Sequence, residues 1–290
     1  MVRMAGVISF AAATDMPAIP EQYVLIARLV QLATLVIGGW VYLKTLAHLA
    51  TAGGKLRHDL FGPLDIPLLA VAITFLGLTA GAAWFGGAQP VTNPPPMKVE
   101  QILPGSLSFA IFPIGIAVFL AARNISIVEF FGLQKVSADK ALGYALGFII
   151  SLLPIFFLAT EIAARNLGND AQLQPLVVLY QQGVKNGDWR VISHTFLAAA
   201  VIAPISEEIL FRGYLYPGLK RTIGAVPSAI FAAVLFAAIH NNAAGLPGLT
   251  LLALALTIAY EWSGSLVVPI LMHATFNSIS LVIAAAGAKQ

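Results

Sequence analysis

Apolar residues run along this chain in blocks of about 20, each closed by a polar or glycine- and proline-bearing stretch. A helix needs about 20 mainly apolar residues to cross the hydrocarbon core of a bilayer. The pattern predicts about eight such spans, at 23–43, 66–86, 105–122, 141–161, 191–216, 222–240, 245–261 and 264–286. The fourth carries Pro154. The fifth is expected to be broken or reentrant around Pro204, since proline removes a helical hydrogen bond and clashes with the preceding turn. The proline-rich stretch 86–105 is predicted to be irregular, and the polar stretch 164–190 to hold a short interfacial helix. The expected fold class is therefore all-α, a polytopic transmembrane helix bundle. It divides into a leader at 1–22, membrane helices and loops at 23–190, and a core at 191–286 that forms one integrated domain with them. The leader has one short apolar run, followed by Asp15, Pro17 and Pro20, and reads as disordered or interfacial rather than as a cleaved signal.

Composition strengthens the membrane reading. Only 10% of the 290 residues are charged and 59% are hydrophobic, whereas soluble domains carry about 25% charged residues. The chain has no cysteine, which excludes disulfides, thiolate catalysis and Cys-ligated zinc. The net charge of +3 follows from juxtamembrane Lys and Arg and gives no reason to expect a nucleic-acid partner. Lys44, Lys55, Arg57, Arg123, Lys135, Lys140, Arg212, Lys220 and Arg221 fall in alternate loops, which predicts that those loops share the cytoplasmic side. The bias is shallow, because the other side receives Arg3, Lys98, Arg165, Lys185, Arg190 and Lys289.

Against this apolar background the few polar groups of the last third stand out, since charge beside a bilayer is kept only when it is paired or used. Glu207 and Glu208 are adjacent, with Arg212 following. Helical residues four apart share a face, so Glu208 and Arg212 are expected to pair. Glu207 points about 100° away around the helix and is left for other work, such as acting as general base on water. Phe236 and His240 repeat the spacing at the end of the sixth span, so the aromatic ring is placed to wall the imidazole. Asn241 and Asn242 follow, suited either to capping the helix or to lining a cavity. His273 and Asn277 repeat the spacing again in the eighth span, as two donors able to stabilise an oxyanion or as glue between helices. Glu161 and Glu261 sit at predicted span ends within reach of water, Tyr260 and Trp262 fit an interfacial aromatic belt, and Arg28 is placed to snorkel. Ser206 lacks the GxSxG context of a serine nucleophile.

The ordered set Glu207-Glu208-xxx-Arg212, Phe236-xxx-His240 and His273-xxx-Asn277, each on its own span, resembles the CAAX prenyl protease and bacteriocin-processing (ABI) family over about residues 190–285. That resemblance implies an intramembrane glutamate endopeptidase of the bacterial cytoplasmic membrane. Glu207 would activate water with help from His240. His273 and Asn277 would form the oxyanion hole, and Glu208, Arg212 and Phe236 would support the site or contact substrate. The implied partners are a peptide or protein with an apolar or lipidated segment, and membrane lipid. No metal or cofactor is expected. Zinc on His240, His273 and Glu207 is the alternative, without the HExxH spacing that presets two ligands on one helix. The rival functions are a non-catalytic scaffold or immunity protein of the same fold, and a proton-coupled transporter. The peptidase reading expects Glu207, His240, His273 and Asn277 to converge within reach of one water molecule.

Overall fold

A computed structural model describes residues 21–56, 59–85, 99–167 and 175–288. Among these the chain is built of helices and contains no strand. The order is α1 (Glu21–Ala52), α2 (Asp65–Phe85), α3 (Val99–Phe109), α4 (Ile111–Ala122), α5 (Ile127–Phe130), α6 (Ala138–Leu167), α7 (Pro175–Asn186), α8 (Trp189–Leu197), α9 (Ala203–Glu208), α10 (Tyr216–Ile223), α11 (Ala225–Ile239), α12 (Leu246–Ser263) and α13 (Val267–Ala288). Except for its last two residues, which begin α1, the leader lies outside the described residues.

Among the described residues, seven helical stretches are long and apolar enough to cross a membrane, so the protein is an integral multi-pass membrane protein. The span predicted at 222–240 forms only the 15 residues of α11, about 22 Å of helix against a hydrocarbon core of about 30 Å. Part of the stretch predicted to be irregular instead starts α3, which begins at Val99 and contains Pro104. The single span predicted over 105–122 divides at Ala110. Pro113 explains the division, because its ring would meet the carbonyl four residues back, that of Phe109. The polar stretch 164–190 does hold a helix, α7, which packs on α13 and α8.

Helix α12 lies at the centre, and α1 lies outermost. Of the most apolar 18-residue window, 61% is buried in α12 and 6% in α1. Leu29, Val36, Trp40 and Leu43 of α1 are exposed, as lipid-facing side chains should be. Lipid tails are as apolar as leucine, so burial alone does not hold α1 in place and close packing must. Gly38 supplies it: a Cβ there would lie 2.1 Å from the carbonyl oxygen of Ser151 on α6. One turn on, the Tyr42 hydroxyl donates to the Phe148 carbonyl at 3.0 Å.

The predicted break at Pro204 does not occur. Trp189–Ile223 runs as one helical rod, with π-helical turns at Ala198–Ile202 and Ile209–Leu215. In each, an N–H reaches the carbonyl five residues back: Ala203 to Ala198, and Tyr216 to Phe211. Pro204 and Pro217 come immediately after these bonds. The wider turn makes room for a ring that an α-helical turn would bring against the carbonyl four residues back.

The N-terminal helices fasten to this rod through a buried carboxylate. Asp65, 1% exposed, receives Arg123 Nη1 on both oxygens at 2.8 Å, the Tyr214 hydroxyl at 2.7 Å and the Gly62 N–H at 2.6 Å. Around it pack Phe61, Phe119, Phe130 and Tyr214.

Two further side chains differ from expectation. Glu261 is buried, accepting from Tyr216 at 2.6 Å and from Lys220, and Tyr260 is buried in the core. The cause is the central position of α12, whose end is surrounded by other helices and so never reaches a lipid belt. Trp262 is half-buried and packs edge-on against Tyr144 and Phe148.

Tyr214→Phe removes one hydrogen bond from Asp65 and is expected to cost about 1 kcal/mol. Arg123→Ala strands the carboxylate and is expected to cost about 3 kcal/mol or more. Thermal unfolding in mild detergent orders the two. Equal losses would show that the ion pair is not the stronger tie.

Candidate active site

Four elements meet at one level of the bundle: α9, the second π turn, the end of α11 and the first half of α13. Glu208 lies at the junction and has no solvent exposure. Its Oε1 accepts from Arg212 Nη1 at 2.8 Å and from His273 Nδ1 at 2.9 Å, while Oε2 is buried without a partner. Arg212, also buried, donates Nη2 to the Ala253 carbonyl of α12 at 3.1 Å. The predicted four-residue pair is therefore formed. Further hydrogen bonds help to hold a buried pair, and His273 and Ala253 supply two of them from two other helices.

Glu207 turns the other way. Its Oε2 is 3.9 Å from His240 Nε2 and 3.9 Å from His273 Nε2, and it is buried with no hydrogen-bond partner in the protein. At 3.9 Å there is no direct hydrogen bond, but one water spans such a gap.

The tautomers follow from the partners. His240 Nδ1 lies 2.6 Å from the Phe236 carbonyl, which only accepts, so Nδ1 donates. His273 Nδ1 donates to the Glu208 carboxylate in the same way. Each neutral ring then presents the lone pair of Nε2 toward Glu207.

Phe236 organises these groups. Its ring centroid is 4.7 Å from that of His240, 5.7 Å from that of His273 and 5.2 Å from that of Phe211. The Arg212 guanidinium stands 4.6 Å from it, within the range of a cation–π contact. Thus one residue walls both imidazoles, backs the buried cation and fixes His240 with its carbonyl.

Asn277 behaves differently from the other three expected to converge. Its Nδ2 donates to the Ala199 carbonyl at 2.7 Å. The first π turn explains why that carbonyl needs a donor: the Ala203 N–H goes to Ala198, and Pro204 has none to give. One amide N–H of Asn277 is therefore committed to joining α13 to the rod. Asn242 caps the approach to α12, accepting from the Gly245 N–H at 2.8 Å, and Asn241 takes a left-handed turn conformation at φ 47°. Sequence reasoning missed Trp84 of α2, which donates Nε1 to the Ala238 carbonyl at 2.8 Å, close to His240. Periodicity carries no signal for such a contact.

Residues 189–279, just under a third of the chain, match the family described as Rce1-like, type II CAAX prenyl endopeptidase. This segment resembles that family. No curated protein and no solved structure was found to match the chain. The Rce1-like segment contains Glu207, Glu208, Arg212, Phe236, His240, His273 and Asn277, so every one of these residues falls where the chain resembles a protease family. Asp65, Trp84 and Arg123, which brace it, lie outside.

Within the Rce1-like segment, Arg212→Ala leaves Glu208 buried with only His273 as partner and is expected to cost about 3–5 kcal/mol. Arg212→Lys should recover only part of this, since an ammonium cannot reproduce the planar two-donor fork and the stacking on Phe236. Thermal unfolding of both variants checks this. A lysine variant as stable as the parent would show that charge alone suffices.

Proposed function

We propose that the protein is an intramembrane glutamate endopeptidase acting on a membrane-associated peptide or protein. The observation that carries this is the buried, partnerless Oε2 of Glu207, equidistant from two imidazole Nε2 atoms. A water bound there donates one proton to Glu207 and the other to His240 Nε2. As Glu207 takes its proton, the oxygen attacks the scissile carbonyl carbon and the carbonyl π pair moves to oxygen. The Asn277 N–H that is not spent on the Ala199 carbonyl is the donor for that oxyanion, and His273, held by Glu208 through Nδ1, walls the same site with Nε2. The C–N bond then breaks as the proton on Glu207 passes to the leaving amine.

Water alone serves this chemistry. Zinc with bonds of about 2.0–2.1 Å sets its tetrahedral ligands roughly 3.3 Å apart, closer than the 3.9 Å between Glu207 and either histidine. We therefore favour metal-free hydrolysis. An apolar cleft of about 320 Å³, lined by Leu68, Ala72, Phe112, Ile116, Leu210 and Tyr214, opens between α2, α4 and the second π turn. It supports a substrate with an apolar or lipid-modified group, such as a prenylated CAAX-type end, entering from the membrane.

Purified protein incubated with prenylated and unmodified peptides, read by mass spectrometry, tests the proposal. Glu207→Gln should remain folded and lose about 10³-fold or more in rate, within the range for general acid–base groups. Chelator should leave the parent rate unchanged. Retained cleavage by Glu207→Gln would remove its assigned role, and loss on chelation with recovery on zinc would establish the metal-dependent alternative.

A further inference from the structure

A second cavity lies at the end of the bundle where α1, α6 and α12 finish or begin. It holds about 500 Å³ and is lined by Lys55, Lys135, Lys140, Ser137, Tyr144 and Ser263. It is separate from the glutamate site: Ser263 lies ten residues along α12 from Ala253, about 15 Å of helix.

Of the three lysines, Lys55 and Lys135 are held by contacts. Lys55 follows α1, and its ammonium lies 5.1 Å from the Trp262 ring centroid. Lys135 precedes α6 and donates Nζ to the Lys55 carbonyl at 3.4 Å. Lys140 stands in the first turn of α6. Gly264, at φ 71°, lets the stems close over the end of α12, because a Cβ there would come within 3.1 Å of Lys55 and 3.3 Å of Lys135. The Lys55 N–H also donates to the Glu261 carbonyl at 2.8 Å, stitching this corner to α12.

No salt bridge among the described residues involves any of the three lysines. The Glu261 carboxylate nearby is occupied by Lys220 and Tyr216. Asp139, exposed and next to Lys140, is the acidic group of the same helical turn. Three cations thus line one cleft, with Asp139 beside Lys140 and with the nearby Glu261 held by Lys220 and Tyr216.

We propose that this cavity binds a phosphate-type anion. Its position at the ends of spans, on the side to which several basic loops converge, makes the phosphodiester of an anionic lipid its nearest source. The inference uses none of the residues of the glutamate site and does not depend on catalysis.

The test uses the full chain in neutral detergent, with native mass spectrometry and thermal unfolding. The probes are short-chain phosphatidylglycerol, short-chain phosphatidylcholine and sodium phosphate. Phosphatidylglycerol should bind and raise Tm in preference to phosphatidylcholine. Joint replacement Lys55→Gln, Lys135→Gln and Lys140→Gln should weaken its binding on the order of a hundredfold, with each lysine contributing roughly fivefold near an anionic surface. Lys140→Gln alone, a change at an exposed position, should give about fivefold and keeps the test decisive if the triple variant does not fold. Competition by sodium phosphate supports recognition of phosphate itself. Binding of phosphatidylglycerol without such competition supports a lipid-borne anion. Equal binding of the two lipids, or binding of phosphatidylglycerol that ignores the lysine changes, would overturn the proposal.

Discussion

A carboxylate removed from solvent is tolerated only if its surroundings replace the water it lost. Glu208 meets that condition at Oε1 through Arg212 and His273, and Arg212 in turn is held by the Ala253 carbonyl and the face of Phe236. The arrangement draws on the rod, α11, α12 and α13 together. Because its partners come from separate helices, those helices must sit in register for the charges to be satisfied. The same requirement fixes His273, whose Nδ1 is spent on Glu208, so that Nε2 faces Glu207. One glutamate thereby becomes structural and its neighbour in sequence is left without a protein partner.

The rod that carries both glutamates is unusual in a way that serves this division. Its π turns absorb Pro204 and Pro217 without breaking the helix and flank α9 on either side. The first also leaves the Ala199 carbonyl to be satisfied from another helix, and Asn277 does so. A proline that interrupts a hydrogen-bond ladder has here created a tertiary contact at the edge of the site. π turns recur at functional positions for this reason: they free backbone groups and shift side chains off the regular helical face.

The outer helices contribute by bracing. Asp65 with Arg123 and Tyr214 joins α2 and the end of α4 to the second π turn, and Trp84 reaches the last turn of α11 beside His240. Both contacts use polar groups in an apolar setting, where the loss of one partner leaves the other without water to replace it. These residues lie outside the matched family segment, yet they hold the elements on which its polar groups are mounted.

The sequence by itself determined the membrane class, because so few charges cannot cover a water-facing surface, and it placed most of the spans through the length of the apolar blocks. It also determined the Glu208–Arg212 pair and the seating of His240 against Phe236, since both depend only on four-residue helical spacing. Tertiary structure decided the rest. The rod continues past Pro204 because a wider turn was available, and α11 is shorter than its apolar block. Glu261 and Tyr260 are buried because other helices surround the end of α12. Asn277 shares a helix face with His273, but its amide is drawn to a carbonyl freed 78 residues earlier. Periodicity reports which side chains share a face of their own helix. It carries no information about what stands opposite that face, and in this protein the groups opposite decide which polar side chains are spent on structure and which are left for chemistry.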